Sequence, residues 1–196
     1  MADENILYIR KWLKKHLDED RYEHTLGVTY TSVCLAMRYE GDMKKVEIAG
    51  LLHDCAKCIP DDIKLAKCRE KGIDISATEE ANPSLLHAKL GAYYAQKKFN
   101  ITDREILDAI IYHTTGRPGM SKTEEIVFVA DYIEPRRRKA QNLDFLRKLA
   151  FLDLDRACFC ILDQTMAYLD AKKNLVTDDR TRESWAYYKQ LCEDKN

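Results

Sequence analysis

The sequence predicts an all-α protein. Only 7 glycines and 4 prolines occur among 196 residues, which is few for a protein built from strands and tight turns. Apolar residues recur at spacings of three and four along most of the chain, which is the period of an amphipathic helix. The length suffices to bury a full hydrophobic core. We therefore expect residues 1–196 to form a single helical domain.

Local signals place the helices in order. The first predicted helix carries its isoleucines and leucines on one face and its lysines on the other. The second ends before Gly41, a residue type favoured at helix C-termini. Pro60 opens the fourth and Gly72 ends it. We predict helices over 5–17, 22–39, 43–56, 60–71, 84–98, 103–113, 122–134, 143–170 and 180–192, with 73–83 as a loop.

Composition excludes several classes of function. Lys and Arg total 32 and Asp and Glu total 33, so the net charge of −1 provides no overall field to attract nucleic acid or an anionic membrane. No run approaches the roughly 18 apolar residues of a membrane helix. The 7 cysteines form no paired framework and no secretory leader precedes them, which is typical of a reducing cytosol. We expect a soluble, cytoplasmic protein.

Cys55 and Cys58 have the CxxC spacing of a redox pair or of half a zinc site. A second CxxC pair does not follow in the sequence, and no strand-helix pattern precedes this one. Neither assignment is favoured.

The stretch 49–57 is unusual because it places His53 and Asp54 in an apolar helical run, with Lys57 three residues on. Burying an ionised carboxylate without a partner costs on the order of several kcal/mol, so such a pair usually holds a cation or a hydrogen-bond network. A lone pair is more often a capping Asp beside a satisfied histidine. The rest of the chain must decide between these interpretations.

Four of the five histidines lie near the ends of predicted helices, and one aspartate lies in the apolar run 126–132. Imidazole nitrogens combined with carboxylates suit Fe, Mn, Co or Zn, and the interior of a helical bundle is where such sites are built. The carboxylate of Asp54 could bridge two ions. The six candidate ligands are His24, His53, Asp54, His87, His113 and Asp131.

The order of these six residues resembles the ligand pattern of the HD-domain phosphohydrolase superfamily, in its six-ligand subset. The local strings narrow the resemblance to the bacterial YqeK family. These strings are His53-Asp54-Cys55-Ala56-Lys57 with Pro60, Tyr112-His113-Thr114-Thr115-Gly116-Arg117-Pro118, and Ala130-Asp131-Tyr132-Ile133-Glu134-Pro135. The resemblance implies an HD-domain helical bundle with a metal-binding core over about 21–138, on which C-terminal helices over 143–196 pack.

The resemblance also implies an activity, the symmetrical hydrolysis of diadenosine tetraphosphate to two ADP by attack of a metal-bound hydroxide on phosphorus. By the same resemblance, iron is the expected metal, with one or two ions per chain and Mn or Co as substitutes. The ligands of the principal metal would be His24, His53, Asp54 and Asp131. His87 and His113 would bind either a second metal or the substrate phosphates.

Further residues are candidates for substrate contacts. Lys57 is our choice for stabilising the transferred phosphate and the ADP leaving group, which makes it a catalytic residue together with Asp54. Arg21 and Arg137 resemble phosphate contacts of the family, and arginine suits bidentate phosphate binding. Thr114 and Thr115 open a small polar loop whose backbone can approach an anion. The expected partner is a dinucleoside polyphosphate or ADP, and a homodimer is left open.

Three alternatives stay open at this stage. The first is an HD phosphohydrolase acting on other nucleotides or phosphate esters. A cyclic-di-GMP esterase is disfavoured, because His113 is followed by Thr-Thr-Gly. A non-catalytic nucleotide sensor would be expected to lack ligands, and none is missing. The loop 175–180 falls where the family closes over the nucleotide, but its Asp178-Asp179-Arg180 sequence departs from the family pattern.

Overall fold

The computed structural model describes residues 2–172 and 177–195, with side chains from residue 5 onward. These residues form α-helices without any β-strand, as predicted. One 3₁₀ turn lies at Pro83–Leu85. The helices are α1 (Ala2–His16), α2 (Glu19–Arg38), α3 (Met43–Leu52), α4 (Asp61–Glu70), α5 (Ala77–Ala81), α6 (Leu86–Phe99), α7 (Arg104–Tyr112), α8 (Lys122–Ile133), α9 (Leu143–Ala150), α10 (Leu154–Ala171) and α11 (Asp179–Glu193).

Most helices begin at a short polar residue that caps them. The side chain of each capping residue accepts a hydrogen bond from a backbone N–H of the first turn, which has no partner within the helix. Ser76 and Ser121 form complete capping boxes with Glu79 and Glu124. The other side-chain caps are Asp18, Asp42, Asp103, Asp153 and Asp178.

Helix α3 lies at the centre of the bundle. Six of its ten residues are buried, and it packs against α2, α7 and α8. Gly50 permits the closest of these approaches, because a Cβ atom built there would lie 3.0 Å from the Cα atom of Thr29 on α2. Helix α10 packs on α8, α9 and α11. This arrangement brings the ends of α3 and α7 and the starts of α2 and α6 to one region.

The predicted helix over 143–170 is wrong in one respect, because the structure contains two helices there. Helix α9 ends at Ala150 and α10 starts at Leu154. Asp153 caps α10 by accepting a hydrogen bond from the backbone N–H of Arg156, whereas the sequence offers no glycine or proline as a break. The loop predicted over 73–83 contains the short helix α5, which the Ser76 capping box starts.

Helix α3 is also shorter than predicted, ending at Leu52 and not at residue 56. The chain continues through tight turns, in which the N–H of Cys55 bonds to Leu52 O and the N–H of Lys57 bonds to Asp54 O. His53 and Asp54 therefore lie just beyond the helix. Within the described ranges, no helix is long and apolar enough to span a membrane.

Gly50→Ala should destabilise the protein by about 1–3 kcal/mol, because the new methyl group has no room against α2. Gly91→Ala is the matched control. Its Cβ would meet Cys55 Sγ at an ordinary 3.4 Å, so the helix propensity of alanine, about 1 kcal/mol over glycine, should dominate. Chemical denaturation followed by circular dichroism measures both. Equal effects of the two substitutions would contradict the close approach of α2 and α3.

Candidate metal centre

The six predicted ligand residues converge at one place in the bundle. They come from the second turn of α2, from the first turn of α6, from the residues that follow α3 and α7, and from the last turn of α8. His24, His53 and Asp131 each offer an atom within 4.8 Å of the others, and so do His53, Asp54 and His113. Apart from His24 and Asp131, all are buried. Residues up to 107 positions apart in the chain thus form one cluster.

The carboxylate of Asp54 lies between two sets of imidazoles. Its Oδ2 atom is 3.8 Å from His24 Nε2 and 3.4 Å from His53 Nε2. Its Oδ1 atom is 3.2 Å from His87 Nε2 and 3.6 Å from His113 Nε2. The two oxygens therefore face different histidine pairs, which is the geometry that a bridging carboxylate requires.

Asp131 completes the first of these two sets. Its Oδ1 atom is 3.0 Å from His24 Nε2 and 3.9 Å from His53 Nε2. In the second set, Asp54 is the only carboxylate among the described residues grouped as possible metal ligands, and no second one lies beside His87 and His113. The first set, with two histidines and two carboxylates, therefore has the richer donor set for a cation.

The four imidazole rings are all held through Nδ1. In three of them Nδ1–H donates to a backbone carbonyl, which fixes the tautomer and directs the Nε2 lone pair into the cluster. The fourth, His24, places Nδ1 3.2 Å from Glu134 Oε1. The three backbone bonds run from His53 to Gly50 (2.7 Å), from His87 to Ser84 (2.5 Å) and from His113 to Ile110 (2.8 Å).

Three buried polar atoms of the cluster have no hydrogen-bond partner, namely His24 Nε2, His53 Nε2 and Asp54 Oδ1. His24 Nε2 is close to Asp131 without the alignment of a hydrogen bond. Buried polar atoms are nearly always paired, so these unpaired atoms need an explanation. The two nitrogens face Asp54 Oδ2 and Asp131 Oδ1, and a cation bound there would satisfy both, so the residues present fit a metal ion. Asp54 Oδ1 faces the other histidine pair.

Ionisation in the cluster agrees with this fit. Burial lowers the pKa of His87 to about 4, which keeps the ring neutral. Burial alone would raise the pKa values of Asp54 and Asp131, but the surrounding imidazoles lower both. Burial would lower the pKa of His24, yet its contacts with Asp131 and Glu134 raise it to about 9. The carboxylates of Asp131 and Glu134 thus stabilise positive charge beside the imidazole of His24.

The predicted substrate residues surround this cluster. Arg21 Nη1 is 2.7 Å from Asp54 Oδ2, and Arg137 Nη2 donates to the backbone oxygen of Asp131 at 2.8 Å. Among the described residues, the hydrogen-bonding partners of Lys57 Nζ are the ring nitrogens of His87, at 3.4 and 3.5 Å. Burial lowers the pKa of Lys57. These three cations face a region otherwise rich in histidine and aspartate, as a phosphate site requires.

The two threonines of the loop after α7 differ in their surroundings. Thr114 Oγ1 lies 3.0 Å from His113 Nε2 and faces the cluster. Thr115 is buried, and its hydroxyl donates to the backbone oxygen of Gly116. The structure therefore brings Thr114 to the cluster and leaves the Thr115 side chain away from it.

A cavity of about 300 Å³ opens beside the cluster, and it is hereafter called the catalytic cavity. Arg21, Asp54, Lys57, His113, Thr114, Asp131 and Arg137 line it, together with Phe128, Tyr132, Ile161 and Thr165. The sequence did not predict these last four residues. Two lie on α8 and two on α10, and residue spacing within one helix does not show which residues of another helix will share a cavity wall with it.

Sequence reasoning also missed Glu134, which fixes His24 and accepts a hydrogen bond from the backbone N–H of Arg136 at 2.7 Å. It lies only three residues after Asp131, and that spacing was the available signal. Gly27 on α2 leaves room for it, because a Cβ atom there would lie 2.6 Å from Glu134 Oε2.

Of the loop 175–180, positions 175 and 176 lie outside the described residues.

The chain is similar to known HD proteins over most of its length. The HD domain family model matches residues 21–136. A Bacillus subtilis protein named symmetrical bis(5'-nucleosyl)-tetraphosphatase is 44% identical over 168 residues, 85% of this chain and 89% of that protein. The Staphylococcus aureus protein of the same name is 36% identical over 190 residues, 94% of each.

A solved structure agrees with these similarities. An HD superfamily hydrolase from Clostridium acetobutylicum superposes with a TM-score of 0.89 at 39% identity, covering 94% of this chain and 96% of the other. The residues that the family model matches, 21–136, span the histidine and aspartate cluster described above. The chain therefore belongs to the HD-domain family, and within that family to the YqeK type that its motifs predicted.

Proposed function

We propose that this protein is a metal-dependent hydrolase that cleaves diadenosine tetraphosphate symmetrically to two ADP. The name shared by the Bacillus subtilis and Staphylococcus aureus relatives supports this reaction. The observation that carries the proposal is a cluster of six candidate metal ligands beside a cavity that three cationic side chains line, namely Arg21, Lys57 and Arg137. We further propose that the whole chain is one HD domain with its core over about 21–138.

We infer that His24, His53, Asp54 and Asp131 hold the principal metal. The orphaned Nε2 atoms of His24 and His53 support this assignment. His87 and His113 would hold a second metal through Asp54 Oδ1 or contact substrate phosphate. When bound, a divalent cation supplies Lewis-acid charge and lowers the pKa of water. Iron is the proposed ion, with Mn or Co as substitutes, since all accept imidazole and carboxylate ligands.

The chain's own residues position and neutralise the substrate. Hydrolysis adds water across the central P–O–P bridge, so charge develops on the bridging oxygen of the departing ADP. Lys57 is available for that charge, because no carboxylate of the described residues forms an ion pair with its ammonium group. Arg21 and Arg137 can turn from Asp54 and Asp131 towards phosphate, since about a third of each side chain is exposed.

The homodimer that the sequence analysis left open remains a prediction.

Product analysis tests the reaction directly. Purified protein incubated with diadenosine tetraphosphate should release ADP as sole nucleotide product, and elemental analysis of the same sample should give one or two equivalents of metal. Chromatography of the products makes the distinction. Equal amounts of AMP and ATP would show cleavage at another bond, and metal-loaded protein without any turnover would favour the nucleotide sensor.

Asp54→Ala should remove both metal and activity, because it deletes the carboxylate that both histidine pairs face. We expect at least a 1,000-fold loss of kcat, or about 4 kcal/mol. Elemental analysis and turnover are measured together. His16→Ala is the control, since His16 is exposed on α1 and contacts only Trp12. Full turnover by metal-free Asp54→Ala protein would refute the assignment.

Lys57→Ala should keep the metal and lose rate. Removing one preorganised charge from a transition state costs about 100- to 1,000-fold in kcat, and we expect a loss in that range with the metal content unchanged. Lys97→Ala is the matched control, because Lys97 is exposed on α6. If Lys57→Ala changes only KM, then Lys57 binds substrate equally before and during reaction and our catalytic role for it is wrong.

A further inference from the structure

A second cavity, of about 650 Å³, shares lining residues with the catalytic cavity and is also lined by His24. We call it the basic cavity. Arg21 and Arg137 line both cavities, so the two guanidinium groups stand at the boundary between them. The segment 136–139, which follows α8, supplies much of the remaining wall. Candidate metal ligands thus line both cavities, with His24 in the basic cavity and Asp54, His113 and Asp131 in the catalytic one.

The basic cavity carries an excess of unpaired positive charge. Its three carboxylates are already engaged. Asp18 caps α2, and Asp20 lies 3.4 Å from Arg136. Glu134 bonds to His24 and to the backbone of Arg136. Arg138 and Lys139 are exposed, and neither has a hydrogen-bond or ion-pair partner among the described residues. Neighbouring like charges repel each other unless an anion lies between them.

Arg136 forms ion pairs at the surface of the protein, and these pairs are weak. Its guanidinium lies 3.4 Å from Asp20 and 3.6 Å from Glu23, and about half of the side chain is exposed. Exposed ion pairs of this kind contribute little and exchange partners at little cost. An incoming phosphate could therefore recruit Arg136 without loss of a strong interaction.

The size of the catalytic cavity indicates what the basic cavity could hold. At about 300 Å³, the catalytic cavity lies at the lower end of the range for ligand pockets, about 300–1,000 Å³. A symmetrical cut leaves one ADP on each side of the reacting centre. If one half packs against Phe128, Tyr132 and Ile161, the other half must continue past Arg21 and Arg137.

We propose that the basic cavity binds the second nucleoside diphosphate half of the substrate, with Arg136, Arg138 and Lys139 contacting its phosphates. The inference rests on the proposed function. It makes these three residues determinants of specificity, because a mononucleotide needs only the catalytic cavity whereas a dinucleoside tetraphosphate also gains the contacts in the basic one. Selection by length would then come from charge outside the metal cluster.

The test is the double charge reversal Arg138→Glu/Lys139→Glu in the metal-loaded enzyme. We expect KM for diadenosine tetraphosphate to rise tenfold or more, with kcat within about threefold of the original. Calorimetric titration with ADP should fall from two molecules bound per chain to one. The matched control is Lys14→Glu/Lys15→Glu, an equal charge change on the exposed face of α1. Neither KM nor ADP stoichiometry should change in that control.

Equal KM values and equal ADP stoichiometry in the two double variants would overturn the inference. The milder Arg138→Ala/Lys139→Ala variant, which removes charge without reversing it, should shift KM in the same direction by a smaller factor. Circular dichroism and metal content show that each variant is folded and loaded. If the unsubstituted protein released no ADP, the proposed function would fail. The ADP stoichiometry would still decide whether the basic cavity binds a nucleoside diphosphate.

Discussion

The buried carboxylate of Asp54 is the interaction on which the rest of the structure depends. A carboxylate removed from water is tolerated only where opposite charge or hydrogen-bond donors surround it. Here the imidazoles of four histidines and the guanidinium of Arg21 approach its two oxygens. These side chains come from α2, from α6 and from the residues that follow α3 and α7. The helices α2, α3, α6 and α7 must therefore all be in place before this charge is compensated.

The same kind of hydrogen bond to the backbone orients three of the four histidines. In His53, His87 and His113, Nδ1–H donates to the carbonyl of the residue three positions earlier. The carbonyls in the last turn of a helix lack partners within that helix. For His53 and His113, which follow α3 and α7, one bond both satisfies such a carbonyl and fixes the ring. The position of the histidine just past a helix end is thus itself the orienting feature.

The sequence predicted the helices and the six histidine and aspartate residues that the structure brings together, because both follow from local patterns. A repeat of three and four residues indicates a helix, and the six candidate ligands stand near the ends of predicted helices. Breaks without glycine or proline were missed, as at Asp153, where a capping side chain alone separates α9 from α10. The wall made by Tyr132 and Ile161 was missed as well. It depends on how α8 and α10 pack, and no spacing within one helix encodes that contact.

Burial divides the charged groups around the site into two kinds. Asp54, His53, His87 and His113 are almost fully buried, so their positions are determined by packing and by hydrogen bonds to the backbone. Arg21 and Arg137 are about one-third exposed, and Arg138 and Lys139 are more exposed still. Long, exposed cations rearrange at little cost, whereas buried imidazoles cannot move without disturbing the core. A rigid inner cluster suits the demands of metal geometry, and an adjustable outer layer would suit the flexible polyphosphate of the proposed substrate.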